Sequence, residues 1–354
     1  MMFVAIGLVL IWILFLSIVL LSNREIGRNA NDSKQPFVSI LISLRNEEDN
    51  VQTLCDSLGQ LTYPNFEILL GDDDSDDSTL KWLEKCKPKN AQLFSYKNED
   101  DSFGKQKVLA HLAKKSKGDF LLFTDADMQF HPDWIQGMLS QVSEGQQIVV
   151  GLTKVSGNDW WSKMQNMDWL FNEWIIGWFA GKGIGLTAWG NNLLISKSAY
   201  HEVGGYESLK QTIIEDVTLL RALKGNGGKL TANCDPFAVA TTKPVSFYGY
   251  LNQRKRWMTG LLRMNPLAVI GGLIKWLFWP ALIFLALGNP LWIMAGITIL
   301  GLKFHLMSKI GKVTNSHILP FSLLLFEIYD FVFYLLTFAF YLLPIKIDWK
   351  GRKY

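Results

Sequence analysis

Short apolar runs alternate with segments of helical periodicity between Phe37 and Thr124, and this alternation limits the fold more than any other feature of the sequence. Four of the runs have the length and composition of buried strands: Phe37–Ile42, Phe66–Leu70, Gln92–Tyr96 and Asp119–Thr124. Three segments between them space their apolar residues three or four positions apart, as helices do: Asn50–Leu61, Thr79–Cys86 and Gly104–Lys115. Because repeated strand–helix–strand units form parallel sheets, we predict a doubly wound α/β domain.

Acidic residues follow two of the predicted strands. Asp72 and Asp73 come after the second strand, and Asp125 and Asp127 come after the fourth. Ligands of open α/β sheets bind at the carboxyl ends of strands, so we expect both pairs to border one crevice. Strand alternation should place Asp125 and Asp127 on the same side, where their oxygens suit Mg²⁺ or Mn²⁺. Asp73 is the candidate acceptor for the N–H of a uracil ring, and the alternative is an acidic loop that caps the next helix.

Three further positions carry side chains suited to chemistry. Asp216 follows Glu215 at the start of a predicted helix, where it is either a helix cap or a general base. Arg256 and Trp257 precede a long apolar stretch, so they form either a basic patch on anionic lipid or part of a site. In the second case Arg256 binds a diphosphate and Trp257 stacks near an acceptor. Lys105 is either a phosphate ligand or a solvated residue.

Four apolar stretches are long enough to cross a membrane. The first, Met1–Leu21, carries no charge, and the absence of a small-x-small cleavage pattern favours a retained anchor over a signal peptide. The other three stretches lie near the C-terminus: Leu267–Leu287, Pro290–Met307 and Leu319–Leu343. We therefore divide the chain into an anchor (1–21), a linker (22–35), an α/β domain (36–265) and a membrane region of two to three spans with a basic tail (266–354).

Composition excludes other classes of protein. The net charge of +3 is too small for the basic face of a nucleic-acid-binding protein. The unrelated spacing of Cys55, Cys86 and Cys234 predicts neither a zinc site nor a disulfide framework, and it fits a reducing, cytoplasmic compartment.

The segment Asp159–Phe179 is crowded with tryptophan and methionine. It is an interfacial helix, a core helix, or a helix with one face in the core and one on lipid.

The ordered set of motifs resembles the family 2 glycosyltransferases with a GT-A fold, a group that includes ceramide glucosyltransferase-like and cellulose or hyaluronan synthase-like enzymes. The resemblance extends from about Val38 to Trp257. It rests on Val38-Ser39-Ile40, Arg45-Asn46-Glu47-Glu48, Asp72-Asp73 with Ser75 and Asp77, Asp125-x-Asp127, Glu215-Asp216 and Gln253-x-x-Arg256-Trp257. One difference from the family pattern is Asp74, which stands where many relatives have a small residue.

The resemblance implies a GT-A domain, Rossmann-like with a doubly wound mixed sheet, between N-terminal and C-terminal transmembrane helices. Its implied reaction is an inverting sugar transfer from a nucleotide diphosphate donor, expected to be a UDP-sugar, with Asp216 as the base. Asp127 would hold the Mg²⁺ or Mn²⁺ that stabilises the departing diphosphate. With Lys105 included, the residues expected to contact the donor are Arg45, Glu47, Asp73, Lys105, Asp125, Asp127, Gln253 and Arg256. The residues expected on the acceptor side are Glu215 and Trp257.

The modest membrane part favours addition of one sugar to a membrane lipid at the cytoplasmic face of a bacterial inner membrane. The alternatives are a short-chain polysaccharide synthase with a polysaccharide acceptor and a non-catalytic membrane scaffold. If all three late stretches cross, the basic residues of the tail lie outside, against the tendency of such residues to remain inside; they are Lys346, Lys350, Arg352 and Lys353. We therefore predict that one late stretch is interfacial or re-entrant, and we choose the stretch that contains Lys275 and Pro280.

Overall fold

The alternating runs of the N-terminal half form the parallel part of a mixed sheet. The computed structural model describes residues 1–22, 35–97, 104–142, 146–186, 189–264 and 266–353, so the predicted linker falls almost entirely outside the described residues. The described strands are β1 Val38–Leu44, β2 Phe66–Asp73, β3 Ala91–Tyr96, β4 Phe120–Asp125, β5 Met128–Gln129, β6 Gln146–Gly151, β7 Thr153–Val155, β8 Asn192–Ser196, β9 Lys229–Asn233, β10 Ala240–Thr242, β11 Asp348–Trp349 and β12 Arg352–Lys353.

Seven of these strands form one sheet in the order β3-β2-β1-β4-β8-β6-β9. Strands β1 to β4 pair in parallel, whereas β8 is antiparallel to both β4 and β6. A smaller sheet has the order β5-β10-β7, and β11 pairs with β12 in a hairpin. The predicted doubly wound mixed sheet is confirmed.

Two strands extend further than the sequence predicted. Strand β2 continues to Asp73 instead of ending at Leu70, because its ladder with β3 runs as far as Asp73 opposite Tyr96. Strand β4 likewise ends at Asp125 rather than at Thr124. The carboxylates at the carboxyl edge of the sheet are therefore held partly by strand backbone and not only by loops.

Helices cover both faces of the main sheet and form a separate membrane-side layer. The described helices are α1 Met2–Leu21, α2 Glu48–Gly59, α3 Thr79–Cys86, α4 Lys105–Lys115, α5 Trp134–Leu139, α6 Trp160–Gly181, α7 Lys197–Glu202, α8 Glu215–Gly225, α9 Phe247–Met264, α10 Pro266–Gly288, α11 Ile293–Thr314 and α12 Pro320–Leu342. Helices α2, α3 and α5 pack on one face of the sheet, and α4, α7 and α8 pack on the other. Ile40 and Leu41 of β1 point to opposite faces and are both fully buried, which is why the strand is apolar throughout.

Helix α6 joins the two sheets to the membrane-side helices. Its buried residues include Met164, Phe171 and Trp174, which belong to the same apolar cluster as α1, α10, α11 and α12. The helix also contacts β9 of the main sheet and β7 of the smaller sheet, while Trp160 at its start is 50% exposed. Packing on both sides fits the core helix among the alternatives for this aromatic segment, and the lipid-facing side of the mixed alternative stays a prediction.

Four described helices are long and apolar enough to cross a membrane: Met2–Leu21, Val269–Gly288, Pro290–Thr314 and Pro320–Leu342. Helix α10 packs along α1, where the rings of Trp12 and Phe278 stack with centroids 5.4 Å apart. Helix α12 instead lies along α9, as shown by the contact of Phe247 with Phe333 at 5.9 Å. The prediction that the stretch with Lys275 and Pro280 does not cross the membrane stays a prediction.

Candidate active site

A buried lysine joins carboxylates from two distant motifs. Lys105 is the first residue of α4, and its Nζ lies 2.7 Å from Asp125 Oδ1 and 2.8 Å from Glu215 Oε1. Burial alone would lower the pKa of Lys105, but the two carboxylates outweigh it and raise that pKa. Burial would raise the pKa of Asp125, and Lys105 reverses this and lowers it. The sequence did not predict this bridging role for Lys105.

Asp216 has the surroundings of a general base. It lies in the first turn of α8, where the N–H of Gly190 donates to Oδ2 at 2.9 Å and the N–H of Val217 donates to Oδ1 at 2.8 Å. Burial, with repulsion from Glu215 as the next cause, raises the pKa of Asp216 to about 6. A carboxylate with a pKa near neutrality, oriented by two backbone donors, suits proton abstraction from a hydroxyl group.

Asp127 lies in the turn between β4 and β5, so strand alternation does not govern its direction as we expected. Asp125 and Asp127 nevertheless line the same cavity. Asp127 Oδ2 accepts a hydrogen bond from Thr242 Oγ1 at 3.2 Å. Burial, followed by repulsion from Asp125 and Glu47, raises the pKa of Asp127 to about 6. A cation at this position would relieve that repulsion.

The donor set around Asp127 fits a divalent cation that shares its ligands with a substrate. Carboxylate oxygens are the hard ligands that Mg²⁺ and Mn²⁺ prefer. Within the described part of the chain, no three histidine, cysteine or acidic side chains form a complete cation cage. Mg²⁺ commonly binds one or two carboxylates together with substrate phosphates. The arrangement is therefore suited to a cation that arrives with a diphosphate.

The residues expected at the nucleotide end come together around the carboxyl end of β2. Arg45 Nη1 donates to the backbone oxygens of Asp73 and Asp74, at 2.6 Å in each case. Glu47 is 7% exposed, and its Oε2 accepts from Asn50 Nδ2 at 2.8 Å. The Asp73 carboxylate is fully buried. Local structure thus places all three predicted residues at one edge of the sheet.

The backbone at Asp74 accounts for the difference from the family pattern. Asp74 has φ +56°, in the left-handed region where a small residue, above all glycine, is least strained and aspartate is tolerated. The turn also separates the two preceding carboxylates. Asp72 Oδ2 accepts from the N–H of Ser75 at 3.3 Å, whereas Asp73 faces Arg45 and the C-terminal hairpin. Of the two, Asp73 is the one that contacts the hairpin, and its role at a nucleobase remains a prediction.

The C-terminal hairpin β11–β12 reaches this same edge. Arg352 Nη1 donates to Asp73 Oδ2 at 2.6 Å, and Arg352 Nη2 lies 3.3 Å from Oδ1. Lys350 Nζ lies 2.7 Å from Glu47 Oε1. We predicted only a basic tail here, because nothing in the local sequence links Arg352 to a residue 279 positions earlier. The Lys350–Gly351 pair between two short β-forming segments was the available signal for a tight hairpin.

Helix α9 directs three motif residues toward one side. Gln253, Arg256 and Trp257 are three and four positions apart, so they share a helix face, and all three line the cavity. Arg256 Nη1 donates to the oxygen of Ile213 at 3.1 Å. The Trp257 ring meets the Trp169 ring edge-on with centroids 5.3 Å apart. The predicted contacts of these residues with donor and acceptor remain predictions.

One cavity of about 290 Å³ connects the acidic cluster with the membrane-side helices. Near the sheet it is lined by Lys105, Asp125, Asp127, Glu215 and Asp216. Toward the membrane-side helices it is lined by residues of α6, α9 and α12: Asp168, Trp169, Glu173, Tyr250, Arg254, Trp257, Tyr334 and Thr337. The cavity therefore joins candidate catalytic carboxylates to a helix that is apolar enough to span a membrane.

Sequence reasoning missed two acidic residues of this cavity. Asp168 forms an ion pair with Arg254, and it also accepts from the Tyr250 hydroxyl at 3.2 Å. Glu173 is 4% exposed, and the N–H of Thr153 donates to its Oε2 at 2.6 Å. Burial raises the pKa of Glu173 well above its ordinary value. The available signal was the presence of two acids inside an aromatic helix.

Comparison with known proteins agrees with this geometry. The model of the glycosyl transferase family 2 matches residues 39–204. The beta-monoglucosyldiacylglycerol synthase of Trichormus variabilis is 27% identical over 232 residues, which cover 64% of this chain and 49% of that protein. The dolichol-phosphate mannosyltransferase of Pyrococcus furiosus is 26% identical over 186 residues, 51% of this chain and 48% of that protein. The chain thus spans about half the length of these curated relatives.

The fold also has a counterpart among solved structures. A mannosyltransferase from Pyrobaculum calidifontis, solved in complex with GDP-Man and Mn²⁺, superposes with a TM-score of 0.56. The alignment covers 95% of this chain and 94% of that one at 15% identity, a likeness that concerns the fold. The GT-A architecture predicted from the sequence is therefore the architecture found. Residues 39–204, slightly less than half of the chain, match the family 2 glycosyltransferase model, so this segment is similar to that family.

Proposed function

We propose that the protein transfers one sugar, with inversion, from a nucleotide diphosphate donor to a membrane lipid at the cytoplasmic face of a bacterial membrane. The observation that carries this proposal is the cavity that runs from Asp216 to Tyr334 and Thr337 of α12. A lipid headgroup that enters between α6, α9 and α12 can reach the base without leaving the membrane surface. The names of two relatives, a diacylglycerol glucosyl synthase and a dolichol-phosphate transferase, agree with a lipid acceptor.

In this proposal Asp216 takes the proton of the acceptor hydroxyl, which attacks the anomeric carbon in a single displacement. The two N–H donors on Asp216 fix the carboxylate direction, and its pKa of about 6 leaves it ionised at neutral pH. Asp127, with Asp125 beside it, would hold Mg²⁺ or Mn²⁺, which when bound supplies positive charge to the leaving diphosphate. Arg256 lines the same cavity and adds a second positive charge for those phosphates.

The position of the C-terminal hairpin supports the orientation. Because the hairpin contacts Glu47 and Asp73, it lies on the same side of the membrane as the catalytic domain. An even number of crossings must then separate α9 from the hairpin. In this proposal α10 and α11 cross the membrane, whereas α12, which contacts α9, does not. The basic residues of the hairpin are then cytoplasmic, as expected for short membrane-flanking segments.

The test follows release of nucleoside diphosphate from a panel of UDP- and GDP-sugars by the full chain in lipid nanodiscs. Mg²⁺ or Mn²⁺ and a membrane lipid extract are supplied, and the product is extracted into organic solvent. We compare the wild type with Asp127→Ala and Asp216→Asn, and we use Asp56→Asn as a control for loss of an exposed acid. Loss of a general base lowers rates by about 10²–10⁴-fold.

Release that requires the cation and the lipid, and that falls in both site variants but not in Asp56→Asn, supports the proposal. A water-soluble oligosaccharide product would instead indicate the short-chain polysaccharide synthase. Absence of turnover with every donor, or turnover unaffected by both site variants, would indicate the non-catalytic scaffold.

A further inference from the structure

The C-terminal hairpin occupies the edge of the sheet where the nucleotide is expected. Arg352 contacts both carboxylate oxygens of Asp73, and Lys350 pairs with Glu47. A third contact involves backbone, because Arg45 Nε donates to the Lys350 carbonyl at 3.1 Å. Arg45 simultaneously binds the carbonyls of Asp73 and Asp74. One arginine therefore ties the hairpin turn to the loop that follows β2.

The turn geometry shows that this position is specific. Lys350 and Gly351 have φ +51° and +82°, the positive values that a two-residue hairpin turn of this handedness requires. Glycine adopts such values easily, but lysine does so at some cost. The contacts of Lys350 with Glu47 and Arg45 oppose that cost. The hairpin is thus held in place by specific contacts in the site and is not a loosely attached tail.

Charge indicates what the hairpin does there. This end of the molecule is strongly acidic. Its acidic residues are Glu47, Asp73, Asp125, Asp127, Glu215 and Asp216. An incoming diphosphate would meet these carboxylates, and Lys105 is already paired with two of them. Trp349, which precedes Lys350 in the hairpin, has its ring centre 5.8 Å from the guanidinium carbon of Arg256, the residue expected at the diphosphate. The hairpin therefore lies between the nucleotide end and Arg256, where a diphosphate needs positive charge.

Arg352 acts on a different part of the nucleotide end. A carboxylate has about four lone-pair positions, and the Arg352 guanidinium uses one on each oxygen of Asp73. The two contacts hold the carboxylate in one orientation, so Arg352 fixes the direction of Asp73.

We propose that the hairpin β11–β12 is a built-in part of the donor site, in which Lys350 binds the donor diphosphate and Arg352 positions Asp73 for the nucleobase. This inference rests on the proposed function, and it adds residues that follow the last membrane helix to a site otherwise formed by the catalytic domain. It also makes two different predictions. Loss of Lys350 should weaken the binding of all nucleoside diphosphates alike, whereas loss of Arg352 should change the preference between bases.

The experiment measures the affinity of UDP and GDP for the full chain in nanodiscs by titration calorimetry, with and without Mn²⁺. We expect Lys350→Met to weaken both nucleotides by about tenfold or more, since a charge-assisted contact with phosphate is lost. Lys350→Arg should restore most of the affinity. Arg352→Met should reduce the ratio between the UDP and GDP affinities. The matched control is Lys353→Met, which removes the same charge from an exposed position of the same hairpin.

Four results would overturn this inference. Tighter binding by Lys350→Met would make the hairpin an inhibitory plug, and unchanged binding in both variants would make its contacts purely structural. An equal loss of nucleotide affinity in Lys353→Met would show that the effect comes from net charge alone. Failure of the wild type to bind either nucleotide would overturn the proposed function as well. Binding by the wild type with unaffected variants would overturn the hairpin proposal alone.

Discussion

Removal of the Lys105 ammonium tests the electrostatic account of the site most directly. Lys105 bridges Asp125 and Glu215 at 2.7 and 2.8 Å, and Glu215 is 4% exposed. The substitution Lys105→Met keeps much of the side-chain volume but removes the charge. Glu215 would then be a buried carboxylate with Asp125 and Asp216 as neighbours. We expect a loss of folding stability that depends on pH.

The magnitude follows from two limits. Removal of one partner of a buried ion pair costs about 3–5 kcal/mol. The stability loss cannot exceed the free energy of protonating the unpaired carboxylate. For a carboxyl group with a pKa near 4, that free energy is ~4 kcal/mol at pH 7 and ~1.4 kcal/mol at pH 5. The Asp125 side chain keeps 35% of its surface exposed, so solvent screens its share, and we assign the cost to Glu215. The loss should therefore be ~3–4 kcal/mol at pH 7.

The assay is thermal unfolding of the full chain in detergent micelles, followed by tryptophan fluorescence at pH 7 and pH 5. Domains of this size lose about 2–4 °C in Tm per kcal/mol, so we expect a decrease of about 6–16 °C at pH 7 and of about 3–6 °C at pH 5. Glu215→Gln in the Lys105→Met background should restore most of the loss at pH 7. Lys114→Met, at an exposed position of α4, is the control. An equal loss at both pH values, or no rescue, would refute the reasoning.

Three other predictions follow from individual contacts. Lys303→Met should destabilise the membrane-side helices by about 3–5 kcal/mol, because Glu327, 2.5 Å away, loses its buried partner; the double variant with Glu327→Gln should recover stability in the same unfolding assay. The rate of sugar transfer should fall about tenfold per pH unit below pH 6, as Asp216 takes up a proton, and should level off above it, which a pH profile of kcat would show. Gly190→Ala should lower kcat without a large change in Tm, because its Cβ would lie 3.1 Å from the Asp216 Cβ; an unchanged kcat would contradict this.

Much of the catalytic domain was predictable because its signals are local. Apolar runs such as Phe66–Leu70 and the periodic helix before it depend on neighbouring residues alone, and the same holds for the start of α8 at Glu215. Even there, the predicted end of β2 was wrong. Asp73 pairs with Tyr96 of β3, and the residues around Asp73 do not indicate how far this pairing extends. Charged residues inside a strand are tolerated when partners from elsewhere satisfy them.

Contacts made over long sequence distances were not predictable from the sequence. The bridge from Lys105 to Glu215 joins the starts of two helices that are separated by several strands. The pairing of Arg352 with Asp73 requires the chain to pass through the membrane-side helices and return. No periodicity or spacing encodes such a return. Which of the late stretches crosses the membrane depends on such contacts as well, so the prediction for the stretch with Pro280 stays a prediction.

The three consecutive basic residues of α9 show how this packing couples the two ends of the site. Successive helical residues point about 100° apart, so Arg254, Lys255 and Arg256 face three directions. Arg254 pairs with Asp168 in the cavity, and Arg256 lies 5.8 Å from the ring of Trp349 in the hairpin.

Lys255 connects these two regions. Its Nζ donates to the oxygens of Phe340 and Leu343 at 3.2 and 2.7 Å, where α12 ends and the chain turns toward the hairpin. The basic run is therefore bound within the protein and does not form the lipid-facing patch considered as an alternative. Because α12 lines the cavity through Tyr334 and Thr337 and is followed by the hairpin, we expect a displacement of α12 to move Lys350 and Arg352 as well.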